Sequence, residues 1–288
     1  MEENEKLETK IVAKELSSCE SNKNKSKFAD MVLYKFGFVP TSCWWFNKTH
    51  SLQVFINDEL AENTYSTIDV AAQRLSQFNP VIAEKIIKIW SNKHDKILDP
   101  FAGRCRALMA QFLERQYVGY EISKTVCNIL TLRINQIRLN KYLYTPKIIN
   151  SDSNTMKYNE EFDFIFSCPP YWNVEDYTTA YNEKMVGQLS DISNYNEFLV
   201  AYTNIIQKCY TALKKGKYAV FVVSDIRREK KLIPFSMHTI NIFQKVGFEL
   251  HDIIINKLNS LAILGVGQAL KNGYTPKVHE YILVFRKD

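Results

Sequence analysis

Glycine is scarce in this 288-residue sequence, which contains 9 glycines and 8 prolines. The glycine-rich fingerprint of dinucleotide-binding folds does not occur, and neither does the phosphate-binding loop in which Lys is followed by Ser or Thr. Their absence disfavours NAD and ATP as ligands. No apolar run is long enough to span a membrane, and the polar N-terminus has no signal peptide pattern. We therefore expect a cytoplasmic protein without a membrane segment.

The cysteines also lack a regular spacing in the sequence. No Cys-x-x-Cys pair occurs, and no Cys/His cluster has the spacing of a zinc site. Scattered cysteines of this kind are typical of reduced thiols in a cytosolic protein, so we expect no metal site. The six positions are Cys19, Cys43, Cys105, Cys127, Cys168 and Cys209.

The composition is that of a folded, mildly basic protein. Hydrophobic residues make up 46% of the chain, which is enough for a substantial core. The net charge is +6, and 16 Tyr and 4 Trp offer stacking surfaces. A positive balance of this size is compatible with a nucleic-acid partner without proving one.

The chain divides into three segments by composition. Residues 1–27 are charged and polar and are expected to form a flexible tail. Residues 28–77 form an aromatic-rich extension whose structure the sequence does not predict. Strands alternate with helices through residues 78–288, a pattern typical of an α/β domain with a doubly wound, mostly parallel sheet. The seven predicted strands cover residues 96–98, 117–121, 147–150, 162–167, 217–224, 249–256 and 281–285.

One of these strands leads into an unusual stretch. The apolar residues 164–166 precede Ser167 and Cys168, and Pro169 and Pro170 end the strand because proline cannot continue a central strand. Tyr171 follows at the carboxyl end of the strand, where open α/β sheets bind ligands. Rigid carbonyl acceptors beside an aromatic face suit a planar group with an exocyclic amine. Adenine and cytosine both fit that description.

Acidic residues end three other predicted strands. Asp99 precedes a turn of small residues that opens a helix, a geometry that lets a ligand approach the backbone. Glu121 comes about 20 residues later, where a carboxylate can accept from both ribose hydroxyls. Asp152 follows the next strand. Together they outline a pocket for an adenosine that carries a positive charge and no phosphates, as S-adenosylmethionine does.

These motifs resemble those of the S-adenosylmethionine-dependent DNA amino-methyltransferases, the N6-adenine and N4-cytosine class. The resemblance covers about residues 75–288 and is closest to single-chain methylases of the phage and bacterial modification type. It implies a Rossmann-like methyltransferase fold with seven strands. The resembling segments are Phe78-Asn79-Pro80, Asp99-Pro100-Phe101-Ala102-Gly103, Gly119-Tyr120-Glu121-Ile122, Ser167-Cys168-Pro169-Pro170-Tyr171-Trp172 and His279 to Phe285.

The resemblance implies methyl transfer to the amine of a base flipped out of double-stranded DNA. Tyr171 would stack on the base, and the Pro169 carbonyl would accept a hydrogen bond from the amine. The implied catalytic residues are Ser167, Cys168, Pro169, Pro170 and Tyr171. The implied cofactor-binding residues are Phe78, Pro80, Asp99, Pro100, Phe101, Ala102, Gly103, Glu121, Ile122 and Asp152.

The resemblance also suggests partners and surfaces. Residues 173–194 and 257–278 are candidate target-recognition loops, and the basic run Arg227 to Lys231 could contact phosphates. The implied setting is the cytoplasm of a bacterial or phage-infected cell, with a cognate restriction enzyme left open as a partner.

Two departures from the family pattern leave alternatives open. Cys168 stands where relatives have Asp, Asn or Ser, so either Ser167 or the Pro169 carbonyl must compensate, and the choice between adenine and cytosine stays open. Arg104-Cys105-Arg106 replaces a small polar run; both arginines could belong to a solvated helix start or serve nucleic acid. The alternative functions are an RNA or nucleotide methyltransferase of the same fold and a catalytically inactive DNA-binding relative. A cysteine nucleophile is disfavoured because Cys168 precedes the prolines instead of following one.

Overall fold

The computed structural model describes residues 32–36, 38, 40–46, 78–138, 143–258 and 266–288. The chain forms two compact units, Met1–Ser42 and Cys43–Asp288. Residues 32–36 of the first unit are helical. The predicted tail lies outside the described residues, and all elements named below belong to the second unit.

The second unit is built on a mixed sheet that contains eight strands in the described part of the chain. The strands are β1 (Cys43–Trp45), β2 (Lys96–Asp99), β3 (Gln116–Glu121), β4 (Lys147–Asn150), β5 (Phe162–Ser167), β6 (Leu213–Val223), β9 (Glu249–Lys257) and β10 (His279–Arg286). Their order in the sheet is β1-β9-β10-β6-β5-β2-β3-β4. Neighbouring pairs from β6 to β4 are parallel, whereas β10 is antiparallel to both β6 and β9. A separate hairpin comprises β7 (Ile226–Arg228) and β8 (Lys231–Ile233).

Helices connect the strands. The described helices are α1 (Pro80–Trp90), α2 (Arg106–Phe112), α3 (Lys124–Arg138), α4 (Tyr177–Tyr181), α5 (Tyr195–Ala212), α6 (Phe235–Val246) and α7 (Val266–Lys271). Helix α1 begins as its sequence predicts: Asn79 Oδ1 accepts from the Val81 N–H at 2.9 Å, and Pro80 occupies the first turn. Its buried face includes Ile86 and Ile87, both fully inaccessible.

The predicted fold class is confirmed, and each predicted strand corresponds to a strand of the sheet. The predicted number of seven strands is wrong, because β1 adds an eighth by pairing in parallel with β9. Its middle residue Trp44 is 2% exposed and stacks on Trp90, with ring centroids 6.2 Å apart. Three residues are too few for a period-two pattern to stand out. The division of the chain at residue 78 stays a prediction.

The order of the strands determines where a ligand can bind. The chain runs outward from β2 through β3 to β4, and then returns to β5 and continues in the other direction to β6. The connections therefore diverge between β2 and β5. In open α/β sheets, ligands bind in the crevice at such a switch point, outside the carboxyl ends of the strands. Asp99, Glu121 and Ser167 are the residues that end β2, β3 and β5.

Candidate active site

A cavity of about 530 Å³ lies at this edge of the sheet. Its volume falls within the roughly 300–1,000 Å³ typical of small-molecule sites. Most of the predicted site residues line it: Phe78, Pro100, Phe101, Gly103, Glu121, Ile122, Asp152, Cys168, Pro169, Pro170 and Tyr171. Pro80, Asp99, Ala102 and Ser167 are buried and do not line it. The structure thus brings the two predicted sets, catalytic and cofactor-binding, to one cavity.

Asp99 lies behind the cavity wall, where it is fully buried. Its Oδ1 accepts from the Phe101 N–H at 3.0 Å and from the Ser167 hydroxyl at 2.5 Å. Its Oδ2 accepts from Arg106 Nε at 2.6 Å and from the Tyr117 hydroxyl at 2.8 Å. Both oxygens therefore hold the loop after β2 and the end of β5 together, and the predicted role of Asp99 in cofactor binding stays a prediction.

Arg106 is the partner of that carboxylate. Its side chain is 4% exposed, and its guanidinium lies 5.0 Å from the centre of the Phe78 ring. Burial opposes the charge, but the attraction and hydrogen bond of Asp99, together with smaller contributions from Tyr117 and Cys168, raise the pKa of Arg106. Arg104 is also buried, at 9% exposed. The alternative of a solvated helix start is therefore wrong for both arginines, which are buried and line the cavity.

Glu121 lines the cavity at the end of β3. Its Oε2 accepts from the Gly103 N–H at 3.1 Å, and its Oε1 accepts from the Ser123 N–H at 2.9 Å. These bonds fix the carboxylate between the turn after β2 and the start of α3. Burial raises the pKa of Glu121 to about 7 in spite of the two backbone donors. The group therefore titrates near neutral pH.

The covering loop, residues 173–194, forms a further wall. Its helix α4 contributes Tyr177 and Tyr181 to the lining. Gly187 in this loop has φ +92°, and a Cβ there would lie 2.6 Å from Asp152 Oδ2. Only glycine fits that approach without strain. The predicted target-recognition segment therefore packs against Asp152 at the cavity wall.

Glu183 ties the covering loop to the start of α3. Its carboxylate accepts from the Ser123 hydroxyl at 2.7 Å, from the Lys124 N–H at 2.7 Å and from the Thr125 N–H at 3.1 Å. A carboxylate at a helix N-terminus satisfies free N–H groups and interacts favourably with the helix dipole. The covering loop is thus anchored next to Glu121, which bonds to the same Ser123.

At the other end of the cavity, the Pro-Pro-Tyr segment presents Pro169 and Tyr171. The Tyr171 hydroxyl donates to Glu280 Oε1 at 3.1 Å and lies 3.3 Å from Cys168 Sγ. Burial raises the pKa of the Cys168 thiol to about 12. The thiol is therefore protonated at neutral pH, which argues against a thiolate nucleophile. Trp172 adopts φ +52° and donates from Nε1 to the Ile192 carbonyl at 2.8 Å.

Several residues at this end were not predicted from the sequence. Ser224, Asn256, Lys277 and Glu280 all line the cavity. Glu280 and Asn256 are direct partners across β10 and β9, so their side chains lie on one face of the sheet. Lys277 Nζ donates to the Asp225 carbonyl at 2.7 Å and to the Ser224 hydroxyl. Glu280 directly precedes the predicted last strand, residues 281–285, and an acid next to that apolar run was the signal that could have identified it.

The basic run forms the turn of the β7–β8 hairpin. Glu229 and Lys230 have φ of +48° and +65°, the geometry of a tight two-residue hairpin turn. Arg228 donates to Asn173 Oδ1 at 3.1 Å, and the Arg227 guanidinium lies 4.0 Å from the centre of the Tyr274 ring. These contacts hold the exposed positive hairpin beside the residues that follow the Pro-Pro-Tyr segment.

Three other features are absent from the described residues: a metal-binding cluster, a disulfide and a membrane-spanning helix. No group of three or more His, Cys, Asp or Glu there is arranged to hold a metal ion. The cysteines within the described ranges are free thiols. None of the helices that the structure describes has both the length and the apolar character to cross a membrane.

Comparison with known proteins gives one family and several partial relatives. The DNA methylase family matches residues 22–132 and 162–288. The orphan methyltransferase M.BamHII of Bacillus amyloliquefaciens is 43% identical over 79 residues, which cover 26% of this chain and 30% of that protein. The type II beta methyltransferase M.BslI of Bacillus sp. (strain NEB-606) is 31% identical over 122 residues, which cover 38% of this chain and 12% of that protein. The matches thus span less than a third of either relative.

Among solved structures, TrmN from Thermus thermophilus is similar with a TM-score of 0.48 and 12% identity, covering 76% of this chain and 52% of that one. The family match, in contrast, extends over most of the chain and includes every motif on which the resemblance rested. It confirms the predicted family and, with it, S-adenosylmethionine as the cofactor. The chain belongs to the DNA methylase family.

Proposed function

We propose that this protein transfers a methyl group from S-adenosylmethionine to the exocyclic amine of an adenine or cytosine flipped out of double-stranded DNA. The observation that supports it most is that Glu121 and the Pro-Pro-Tyr segment open into one cavity. A methyl donor bound beside Glu121 and a base amine bound at the Pro-Pro-Tyr segment then share one cavity. A cytoplasmic location and a cognate restriction enzyme stay predictions from the sequence.

The cofactor end of the cavity fits S-adenosylmethionine by its chemistry. Glu121 and Asp152 place two carboxyl groups in the lining, which suits ribose hydroxyls, an adenine amine and a cationic sulfonium. Gly103, at φ +57°, leaves space because even a Cβ there would be 3.7 Å from its nearest neighbour. The bound cofactor supplies an electrophilic methyl group on sulfur.

The target end of the cavity fits a flipped base. The Pro169 carbonyl can accept one hydrogen of the amine, and the Tyr171 ring offers a stacking face for a base. Both are rigidly placed, since proline fixes the backbone and the Tyr171 hydroxyl is bonded to Glu280. Holding the amine in line with the methyl group can contribute much of the rate, because orientation removes an entropic cost.

The decisive experiment is nucleoside mass spectrometry of DNA from cells that express this chain, with a Tyr171→Ala control. New N6-methyladenine or N4-methylcytosine that is lost in the control is the expected result, and it identifies the base. Methylated nucleosides in RNA alone would favour the alternative of an RNA methyltransferase. Absence of any product, together with absence of cofactor binding by calorimetry, would favour the inactive DNA-binding relative.

Glu121→Gln is expected to weaken the binding of S-adenosylmethionine by about 10- to 100-fold, since a hydrogen bond to a charged group is worth about 1.5–3 kcal/mol. Because the pKa of Glu121 is about 7, the wild-type carboxylate gains a proton as the pH falls through 7 and loses acceptor capacity. Wild-type affinity should therefore fall on acidification, whereas the variant should respond little. Calorimetry between about pH 6 and 8 measures both. Equal affinities at pH 8 would contradict a ribose contact.

The β7–β8 hairpin is expected to contact DNA phosphates. Lys230→Gln/Lys231→Gln should weaken duplex binding and lower the slope of log K against log salt by about 0.9 for each lost contact. The matched control is Lys215→Gln/Lys245→Gln, which removes the same charge from exposed lysines outside the cavity and the hairpin. Fluorescence anisotropy across a salt series gives the slopes. Equal slopes for both double variants would exclude a contact between the hairpin and DNA phosphates.

A further inference from the structure

The motif of this protein lacks one acceptor that the proposed reaction needs. An exocyclic amine carries two N–H groups, and the Pro169 carbonyl can accept only one of them in a defined geometry. Ser167, an expected substitute, is fully buried and donates its hydroxyl to Asp99. It therefore does not compensate, and the position that follows it is Cys168.

Cys168 does not act as the second acceptor either. Its thiol is protonated, and its sulfur lies 3.3 Å from the Tyr171 hydroxyl, which itself donates to Glu280. The thiol hydrogen is thus the donor to Tyr171, and a hydrogen-bonded chain runs from Cys168 through Tyr171 to Glu280. Sulfur is in any case a weak acceptor for an N–H group.

The chain of hydrogen bonds ends on a carboxyl group. Glu280 projects from β10 into the same cavity wall as Cys168 and Pro169. Asn256, its partner on β9, contributes a further side-chain hydrogen bond to it. A carboxylate has about four lone-pair sites on its two oxygens. These two bonds therefore leave acceptor capacity for a substrate N–H group.

We propose that Glu280 is a catalytic residue that accepts the second hydrogen of the target amine and then takes the proton that the reaction releases. This inference rests on the proposed function. The amine lone pair forms the new N–C bond while the C–S bond breaks and its electron pair goes to sulfur, which discharges the sulfonium. The nitrogen becomes cationic, and one of its N–H protons passes to the Glu280 carboxylate. The products are the methylated amine, the neutral thioether and a protonated Glu280.

The surroundings of Glu280 suit both halves of this role. Burial raises the pKa of its carboxyl, which makes the carboxylate a better proton acceptor than an exposed one, while Tyr171, Lys277 and Asn256 stabilise the charged form. Lys277 is the cation facing it, and Tyr171 and Cys168 are the other titratable groups, both protonated because burial raises their pKa. Neither of these competes for the proton at neutral pH.

Glu280→Gln tests the proposal, because glutamine keeps the shape and an oxygen acceptor but does not take up a proton. We expect the single-turnover rate of DNA methylation to fall by about 100-fold, the scale of general-base catalysis. Affinity for S-adenosylmethionine should stay within about twofold. The matched control, Glu249→Gln, changes an exposed glutamate on the same sheet and should retain the wild-type rate. A rate for Glu280→Gln close to wild type would overturn the proposal.

Two further variants separate a direct role from the positioning of Tyr171. Tyr171→Phe breaks the hydrogen bond to Glu280 and keeps the stacking ring, so its loss should be much smaller than that of Glu280→Gln. Cys168→Asp in the Glu280→Gln background returns a carboxylate to the motif. The double variant should methylate DNA at least about tenfold faster than Glu280→Gln alone. Equal losses in Tyr171→Phe and Glu280→Gln, or no recovery in the double variant, would overturn the direct role.

The same assays distinguish this proposal from the proposed function. A wild-type protein that binds the cofactor but methylates no DNA contradicts the proposed function itself. A wild-type protein that methylates DNA, with Glu280→Gln equally active, contradicts only the role of Glu280. Thermal melting of each variant shows whether a loss of rate reflects a loss of fold.

Discussion

Replacing Tyr171 with alanine is expected to lower the rate of DNA methylation by about 100-fold or more, while affinity for S-adenosylmethionine stays within about twofold. In the proposed function the ring is the stacking face for the flipped base, and stacking on an aromatic residue is worth about 1–3 kcal/mol. Its hydroxyl also bonds to Glu280, so the alanine variant loses both contacts. A small misplacement of the reacting amine adds a further loss, because in-line geometry controls the rate.

Single-turnover methylation of duplex DNA and calorimetry with S-adenosylmethionine measure the two parts of this prediction. The matched control is Tyr144→Ala, which removes a tyrosine ring that contacts His94 and does not line the cavity. It should methylate at the wild-type rate. An unchanged rate in Tyr171→Ala would contradict a role of Tyr171 in stacking on the base. A large loss of affinity for S-adenosylmethionine would indicate that Tyr171 contacts the cofactor instead.

Asp99→Asn is expected to lower the free energy of unfolding by about 3–5 kcal/mol, the cost of leaving a buried charge without its partner. Asparagine keeps the size of the side chain. An amide NH₂ in place of Oδ2, however, would point its hydrogens at the N–H of Arg106 and the O–H of Tyr117, which are themselves donors. The guanidinium of Arg106, 4% exposed, would then lack its counter-charge, and the Tyr117 hydroxyl would lose its acceptor. The loss should appear as unfolding at lower denaturant concentration, with activity falling in parallel.

Chemical denaturation with far-UV circular dichroism measures this effect. The matched control is Glu161→Gln, because Glu161 pairs with Lys96 at 3.2 Å where the two side chains are 45% and 32% exposed. A solvent-exposed pair contributes about 0–1 kcal/mol, so the control should be nearly as stable as wild type. Equal losses in the two variants would show that the burial of Arg106 does not govern the effect.

The sequence predicted those parts of the fold that local signals encode. An apolar run that two prolines terminate identified β5 and the Pro-Pro-Tyr wall of the cavity, and Asn79-Pro80 identified the start of α1. The acids at the ends of β2 and β3 followed from the same reasoning. Only Glu121 faces the cavity, however, because whether Asp99 points outward depends on Arg106 and Tyr117. Such partners are visible only once the chain has folded.

The residues that sequence reasoning missed come from distant parts of the chain. Glu280 reaches Tyr171 across 109 positions of sequence, and Glu183 reaches Ser123 across 60. Glu280 lies in the segment His279 to Phe285, whose resemblance indicated a strand and no role in the site, and Glu183 belongs to none of the resembling segments. The edge strand β1 was missed for a related reason, since its three residues gain their structure from pairing with β9. Long-range pairing of this kind has no local signature.

The position of β10 has a consequence for the synthesis of the protein. This strand follows every other described strand in the sequence, yet it lies between β6 and β9 and carries Glu280. A nascent chain that has emerged as far as β9 therefore has two strands with unpaired edges in the middle of its future sheet. The cavity wall that carries Glu280 therefore forms only after β10 has left the ribosome and inserted between β6 and β9.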